Sequence, residues 1–553
     1  MRRGSSGGVA ARGRGRANGT ELGERGRRGE AAGGRNAMRG AATRGTRSAT
    51  APGLASRPAT RKPAAVTSKI GSLPSRASAP GRGELLAVTH GKGSCVVVSP
   101  DGSMVALANG SSVKVCQVPK QNGEPLRILR KVSTLDKVDQ LEWSSDSHLL
   151  MCAQYSRAIV QLFSIQDTTW TCKVSEGIAG LAHACLGPAG RHVLTVADFQ
   201  LHIGVWSLNG TQHTIENPKL PGKAGYQFSE DAGFLAVLHR RECRDSLSIH
   251  STATWKMLIH FPVATTDADE IAWNSTSDAI VVRDNAIEYA VLVYCPANGD
   301  LMGRYSAYEN ALGVRCMAWS PDGASLAVGS YDQVCRVLDS ASWRPVAEFE
   351  HPGAVNRKDV ALFVEENTES ENAKPTPNES SAPSSSQHLH RFKVTKQDPK
   401  HELPRSGVST LAWSFDGTFL ATREEQKPCS VWIWKLEKED PYCVLEFHNK
   451  VNALKWDPVR NRLAIATGEK LAHLWSPLAQ TQFALSQVRP TCHIQPPKEE
   501  ENKPVPIPEN PELPTWNDRA LGLRWMPTGE ALLLIGKSSA AFAVLSPEQQ
   551  TSL

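Results

Sequence analysis

Residues 305–339 read YSAYENALGVRCMAWSPDGASLAVGSYDQVCRVLD, and this stretch fixes the fold. Arg315 to Trp319 has strand composition, Ser320-Pro321-Asp322-Gly323 is a turn, and Leu326 to Val328 is a second strand. Ser330-Tyr331-Asp332 is a second turn and Val334 to Leu338 a third strand. Short apolar runs punctuated by Pro-Asp-Gly and Gly-Ser-x-Asp are the pattern of an antiparallel meander. One such meander cannot cover its own two faces, so it needs copies stacked beside it.

The copies are present. Aligned on Trp319, the equivalent positions are Val98, Trp143, Leu186, Phe228, Trp273, Trp413, Trp456 and Trp525. The intervals from Val98 to Trp525 are 45, 43, 42, 45, 46, 94, 43 and 69 residues. Five consecutive intervals of 42 to 46 match the blade period of WD-repeat propellers. The chain is therefore expected to be all-β: nine units, closed in a single ring, with an open or two-part propeller as the alternative. Trp143, Trp273, Trp319, Trp413, Trp456 and Trp525 are its repeat anchors, and Asp332 is expected to hydrogen-bond its own tight turn. Leu85 to Val88 is expected to pair with the last blade and close the ring.

The two long intervals contain insertions. Residues 365–390, EENTESENAKPTPNESSAPSSSQHLH, are acidic and rich in Ser and Pro; residues 495–514, QPPKEEENKPVPIPENPELP, are proline-rich. Neither has a hydrophobic period, so both are expected to be disordered segments between blades. An extra blade around Phe392 to Val394 remains open, although no turn signature supports it. Thr376-Pro377 has the form of a proline-directed phosphorylation site.

Charge divides the chain further. Residues 1–82 hold 18 Lys and Arg against 3 Glu, which leaves 44 basic and 53 acidic residues in 83–553. The Arg, Gly, Ala and Ser mixture of 1–82 cannot bury enough apolar surface to order itself. Three roles fit this tail, an organelle transit peptide, nucleic-acid contact through Arg-Gly runs, or adhesion to an acidic polymer such as a microtubule, and a non-specific extension without a role fits it as well. The propeller is assigned to 83–553. An acidic body disfavours an RNA-binding disk, the alternative function.

Twelve cysteines lie singly in apolar runs without any C-x-x-C, as reduced core residues do. No apolar run approaches the ~20 residues of a membrane span. G-x-S-x-G, H-E-x-x-H, the P-loop pattern and paired-Cys zinc spacing are all missing from the sequence. His388-x-His390 falls in the acidic insertion, and His473 lies in an apolar run as a core or surface filler. No enzyme, cofactor or metal is expected. Two stretches suit partner contact instead. In LHRRECRD, 238–245, at the turn between two strands of the fourth unit, Arg240, Arg241 and Arg244 stand beside Glu242 and Asp245, either a solvated, self-compensating hairpin or charges able to pair with a partner helix. Tyr305, Tyr308 and Glu309 form the linker ahead of the sixth unit, where an interface competes with packing between blades.

Longer segments carry a family resemblance: TLDKVDQLEWSSDS (134–147), WTCKVSEGIAGLA (170–182), HRRECRDSLSI (239–249), YSAYENALGVRCMAWSP (305–321), LAVGSYDQVCRVL (326–338), FLATR (419–423) and LAIATGEKLAHLWSP (463–477). Together they resemble the WD repeat-containing protein eight family, centrosomal and spindle-pole proteins encoded antisense to the p-seventy-three tumour-protein gene. The resemblance implies a non-enzymatic adaptor in the cytoplasm, at centrosomes, spindle poles or basal bodies. It implies anchoring of microtubule minus ends and support of spindle organisation and cilium assembly. Its implied partners are a coiled-coil anchoring protein of the synovial-sarcoma-X-breakpoint-interacting type and a minus-end-directed kinesin.

Overall fold

The structure, a computed structural model, describes residues 67–68, 88–90, 94–118, 127–365, 389–395, 403–478, 483–490, 492–494, 516–537 and 539–545. The chain divides into Met1–Lys62 and Pro63–Leu553, and the described residues belong to the second unit. That unit is an all-β propeller of nine blades, with no α-helix among the described residues. The blades begin with strands Ser94–Val98, Gln140–Trp143, His183–Leu186, Tyr226–Phe228, Glu270–Trp273, Val314–Trp319, Val408–Trp413, Ala453–Trp456 and Gly522–Trp525.

Blade six shows how the sequence builds a unit. Strands Val314–Trp319, Ser325–Ser330, Val334–Asp339 and Pro345–Glu350 pair antiparallel in order, with Met317 opposite Val328 and Ala327 opposite Val337. The two middle strands are buried almost throughout, and the fourth alternates exposed with buried positions. The first strand therefore faces the ring centre and the fourth its rim. The first turn is held by side chains. Ser320 Oγ donates to Asp322 Oδ1 (2.5 Å) and accepts the Ser325 amide (2.9 Å), while Asp322 accepts the Ala324 amide (3.0 Å). Gly323 completes the turn at φ +73°, where a Cβ would stand 2.2 Å from Asn274 Oδ1 of the preceding blade, so only glycine fits. The same Ser–Asp pairing recurs at Ser99 and Asp101, Ser229 and Asp231, and Ser414 and Asp416.

The anchor tryptophans join blades as well as filling them. Each indole N–H of five anchors donates to a carbonyl on the first strand of the preceding blade. The bonds run from Trp143 to Val97 (3.3 Å), Trp273 to Gln227 (3.1 Å), Trp413 to Ala318 (3.1 Å), Trp456 to Ala412 (2.8 Å) and Trp525 to Lys455 (2.9 Å). In every case the acceptor lies one residue before that blade's own anchor position. Trp319 breaks the series, for its buried indole N–H makes no hydrogen bond. Asp332 takes its expected place, accepting the Val334 amide (3.1 Å), and also pairs with Arg336 (2.8 Å).

Of the strand expected to close the ring, Leu85 to Val88, residues 85–87 lie outside the described residues. Val88–His90 pairs with Ser94–Val98 inside the first blade, not with the last. The outer strand of blade nine is Cys492–Ile494, which pairs with Ala540–Val544. Among the described residues, side-chain packing joins the two blades, as Val96, Val98, Val105 and Leu107 of blade one meet Met526, Leu533, Ile535 and Phe542 of blade nine. Apolar surface on two twisted sheet faces packs across this seam.

Three further results bear on the insertions and the tail. Leu389–Arg391, partly inside the expected acidic insertion, pairs with Ala354–Asn356. Ala361–Val364 adds a parallel outer strand to blade seven, and Phe392 packs against Trp432. This connection is thus an elaboration of blade seven and not a tenth blade. Thr67–Ser68 pairs with Lys173 and Cys172 at the rim of blade two, so a paired strand lies inside the segment assigned to the tail. The rest of 1–82, including the 82/83 boundary, lies outside the described residues, as do Thr376-Pro377 and residues 495–514.

The cysteines Cys95, Cys152, Cys335 and Cys443 are buried without disulfides, and burial pushes the Cys95 thiol up to about 11. No helix among the described residues is long and apolar enough to cross a membrane.

Candidate partner-binding face

In an antiparallel four-strand blade, the connection between strands two and three and the connection to the next blade emerge at the same end. Both sequence-derived candidate stretches therefore open onto one face of the ring. LHRRECRD spans the tip of a hairpin in blade four. Phe234–Arg241 and Arg244–Ser251 form a continuous hairpin closed by Glu242 and Cys243, both at positive φ (52° and 60°), as a tight two-residue turn requires.

The hairpin separates its charges by depth. Asp245 is 1% exposed and gathers Lys219 Nζ (3.0 Å), Arg240 Nη1 (3.0 Å), Thr265 Oγ1 (2.8 Å) and the Ala268 amide (2.6 Å). Burial works against its charge, but the Ala268 amide, Lys219 and Thr265 outweigh it and hold the carboxyl below its usual range. Asp245 thus acts inside the fold and has no surface to offer a partner. Arg240, which also bonds Asp267 Oδ1 (2.6 Å), braces the hairpin. Arg241 and Arg244 stand directly opposite each other at the exposed tip. Like charges in that register repel.

The linker before blade six divides in the same way. Tyr308 donates its hydroxyl to the Leu312 carbonyl (2.7 Å) and packs edge-on against Tyr289, ring centroids 4.7 Å apart. Arg336 lies over both rings, 5.9 Å from the Tyr308 centroid and 6.0 Å from that of Tyr289. Tyr305 is half-buried beside Tyr289, whereas Glu309 is exposed. The tyrosines therefore pack between blades, and only Glu309 faces outward.

Apolar residues that sequence reasoning passed over complete this face. Phe199 is 89% exposed in the loop between strands two and three of blade three, and Ile178 is 87% exposed in the connection from blade two to blade three. The two loops touch, since a Cβ on Gly180 would stand 1.9 Å from Asp198 Oδ2. Leu201 beside Phe199 is exposed, as is Ile287 at 71% in the corresponding loop of blade five. Phe199 and Gln200 both hold positive φ (57° and 52°), a costly conformation for a bulky residue. The only signal in the sequence is Asp198-Phe199-Gln200 between two strands, which reads equally well as a continuation of the core.

Comparisons with known proteins agree with this architecture. The WD domain, G-beta repeat model matches residues 299–339, the unit that fixed the fold. A mouse protein, WD repeat-containing protein WRAP73, is 33% identical over 466 residues, covering 82% of this chain and 94% of its own. A fission yeast protein, uncharacterized WD repeat-containing protein C32H8.09, is 22% identical over 62% of this chain and 71% of its own. Among solved structures, the C-terminal WD40 domain of Sif2 aligns over 84% of this chain at 11% identity, with a TM-score of 0.43 that carries nothing on function. With a third of its residues shared along nearly the whole length of the mouse protein, the chain belongs to the WRAP73 family of WD-repeat proteins.

Proposed function

We propose that this protein is a non-enzymatic adaptor that docks a coiled-coil partner on the face carrying Phe199 and the Arg241–Arg244 tip. The observation that carries this reading is Phe199 itself, an aromatic ring 89% exposed and held at positive φ. Ile178 and Leu201 widen the apolar spot, and the basic tip of blade four lies on the next blade. An apolar centre beside basic side chains suits an amphipathic helix with acidic flanks.

Kinship with WRAP73, together with the resemblance to the centrosomal family, supports the cellular setting. There the protein acts in the cytoplasm at centrosomes, spindle poles or basal bodies. It helps hold microtubule minus ends, with an anchoring protein of the synovial-sarcoma-X-breakpoint-interacting type and a minus-end-directed kinesin as partners. Imaging of tagged full-length protein against a centrosome marker tests this. Focal signal that disperses in Phe199→Glu, while the variant stays folded, supports the reading. Diffuse or ribosome-associated signal, unaffected by loss of the coiled-coil partner, overturns it.

A further inference from the structure

His473 lies on the third strand of blade eight, Ala472–Pro477, and is 1% exposed. Its ring packs on Phe447, centroids 4.8 Å apart, and its Nε2 makes no hydrogen bond. That nitrogen faces Glu365 Oε1 at 3.7 Å, too far for a hydrogen bond. Glu469, from the loop between strands two and three of the same blade, completes the group: one ligand atom from each of Glu365, Glu469 and His473 lies within 4.8 Å of the others.

The carboxylates are held for this arrangement by separate contacts. Glu365 follows Ala361–Val364, its amide bonds the Glu446 carbonyl (3.0 Å), and its Oε2 accepts the His448 amide (3.0 Å), leaving Oε1 toward His473. Glu469 Oε1 accepts from Asn449 Nδ2 (3.0 Å), and the Glu469 carbonyl accepts the Ala520 amide (2.8 Å). Oriented carboxylates around a buried imidazole with an unused nitrogen are the donor set of a divalent-cation site.

We propose that Glu365, Glu469 and His473 bind a divalent cation, zinc by ligand chemistry, which fastens the parallel strand of blade seven to blade eight. One imidazole and two carboxylates suit zinc better than the oxygen-only preference of calcium or magnesium. Ligand distances of ~2.0–2.2 Å place tetrahedral donor atoms roughly 3.4 Å apart, so closure from the observed spacing needs about 1 Å of side-chain movement. Burial lowers the basicity of His473 and so favours the neutral ring that a metal requires. The site would tie together residues more than a hundred positions apart, at the point where the chain enters its acidic insertion.

The test uses the full chain, stripped with chelator and then dialysed against zinc alone. Wild type is expected to retain one more zinc equivalent than Glu469→Gln or His473→Gln, each variant losing at least about tenfold in affinity. Glu469→Gln keeps side-chain volume in a loop, so it remains informative if the buried His473 variant misfolds. Cobalt substitution separates this site from cysteine binding, because oxygen and nitrogen ligands give visible bands without thiolate charge transfer. Zinc is also expected to slow amide exchange in 361–364 in wild type and not in Glu469→Gln. Equal stoichiometry and affinity in wild type and Glu469→Gln, or a cobalt spectrum dominated by thiolate charge transfer and indifferent to that substitution, overturns the proposal.

Discussion

Asp245 draws four donor groups, Lys219, Arg240, Thr265 and the Ala268 amide, onto one buried carboxylate. Asp245→Ala strips the Ala268 amide and Thr265 of their acceptor and leaves Lys219 with Asp267 alone (2.6 Å), and should destabilise the protein by about 1–3 kcal/mol in urea unfolding. Since the folded carboxyl is held below its usual range, its contribution is present at neutral pH and is lost as pH falls through the folded value. Glu142 has the opposite sign: burial lifts its carboxyl to about 8, so the folded state keeps a proton that the unfolded chain releases. Stability from this group therefore falls as pH rises from the ordinary value of 4.5 through 8. Glu142→Gln should flatten the urea midpoint against pH over that window. The anchors give a paired comparison. Trp413→Phe removes an inter-blade hydrogen bond and should cost about 0.5–1.5 kcal/mol beyond lost packing. Trp319→Phe deletes a donor that has no hydrogen bond to lose and should cost less in the same assay.

The hairpin of blade four and the loop of blade three define what the exposed face can do. Reversing the tip with Arg241→Glu and Arg244→Glu should change folding stability by less than about 0.5 kcal/mol, because both side chains are exposed. The same change should weaken partner capture and abolish its salt dependence, measured by binding at low and moderate ionic strength. Sequence alone made the arginines visible as a charge cluster, yet it placed Asp245 and Arg240 with them. Only the fold shows that Lys219, Thr265 and Ala268 arrive from neighbouring segments to take Asp245 inward. Phe199 went unseen for the reverse reason. An apolar residue between two apolar strands signals burial, and nothing local reveals that the turn carries it outward.

Closure governs the stability of the whole ring. Among the described residues, blades one and nine meet through packed side chains, so their seam is a place where the ring can open. Leu533→Ala, fully buried there, should destabilise by about 2–5 kcal/mol and release amide protection first in blades one and nine. A loss of protection spread evenly over all nine blades would contradict a separable seam.

The sequence by itself determined the number of blades, the turn chemistry and the anchor positions. Each is written in the pattern of a single repeat, a strand, a turn and an anchor position, which recurs from Trp143 to Trp525. Tertiary structure alone decided how the ring closes, which charges are buried, and which apolar side chains remain on its surface. Those outcomes depend on groups that meet only after the blades stack, such as Val96 with Phe542, Lys219 with Asp245 and Glu365 with His473, and no local pattern records such meetings.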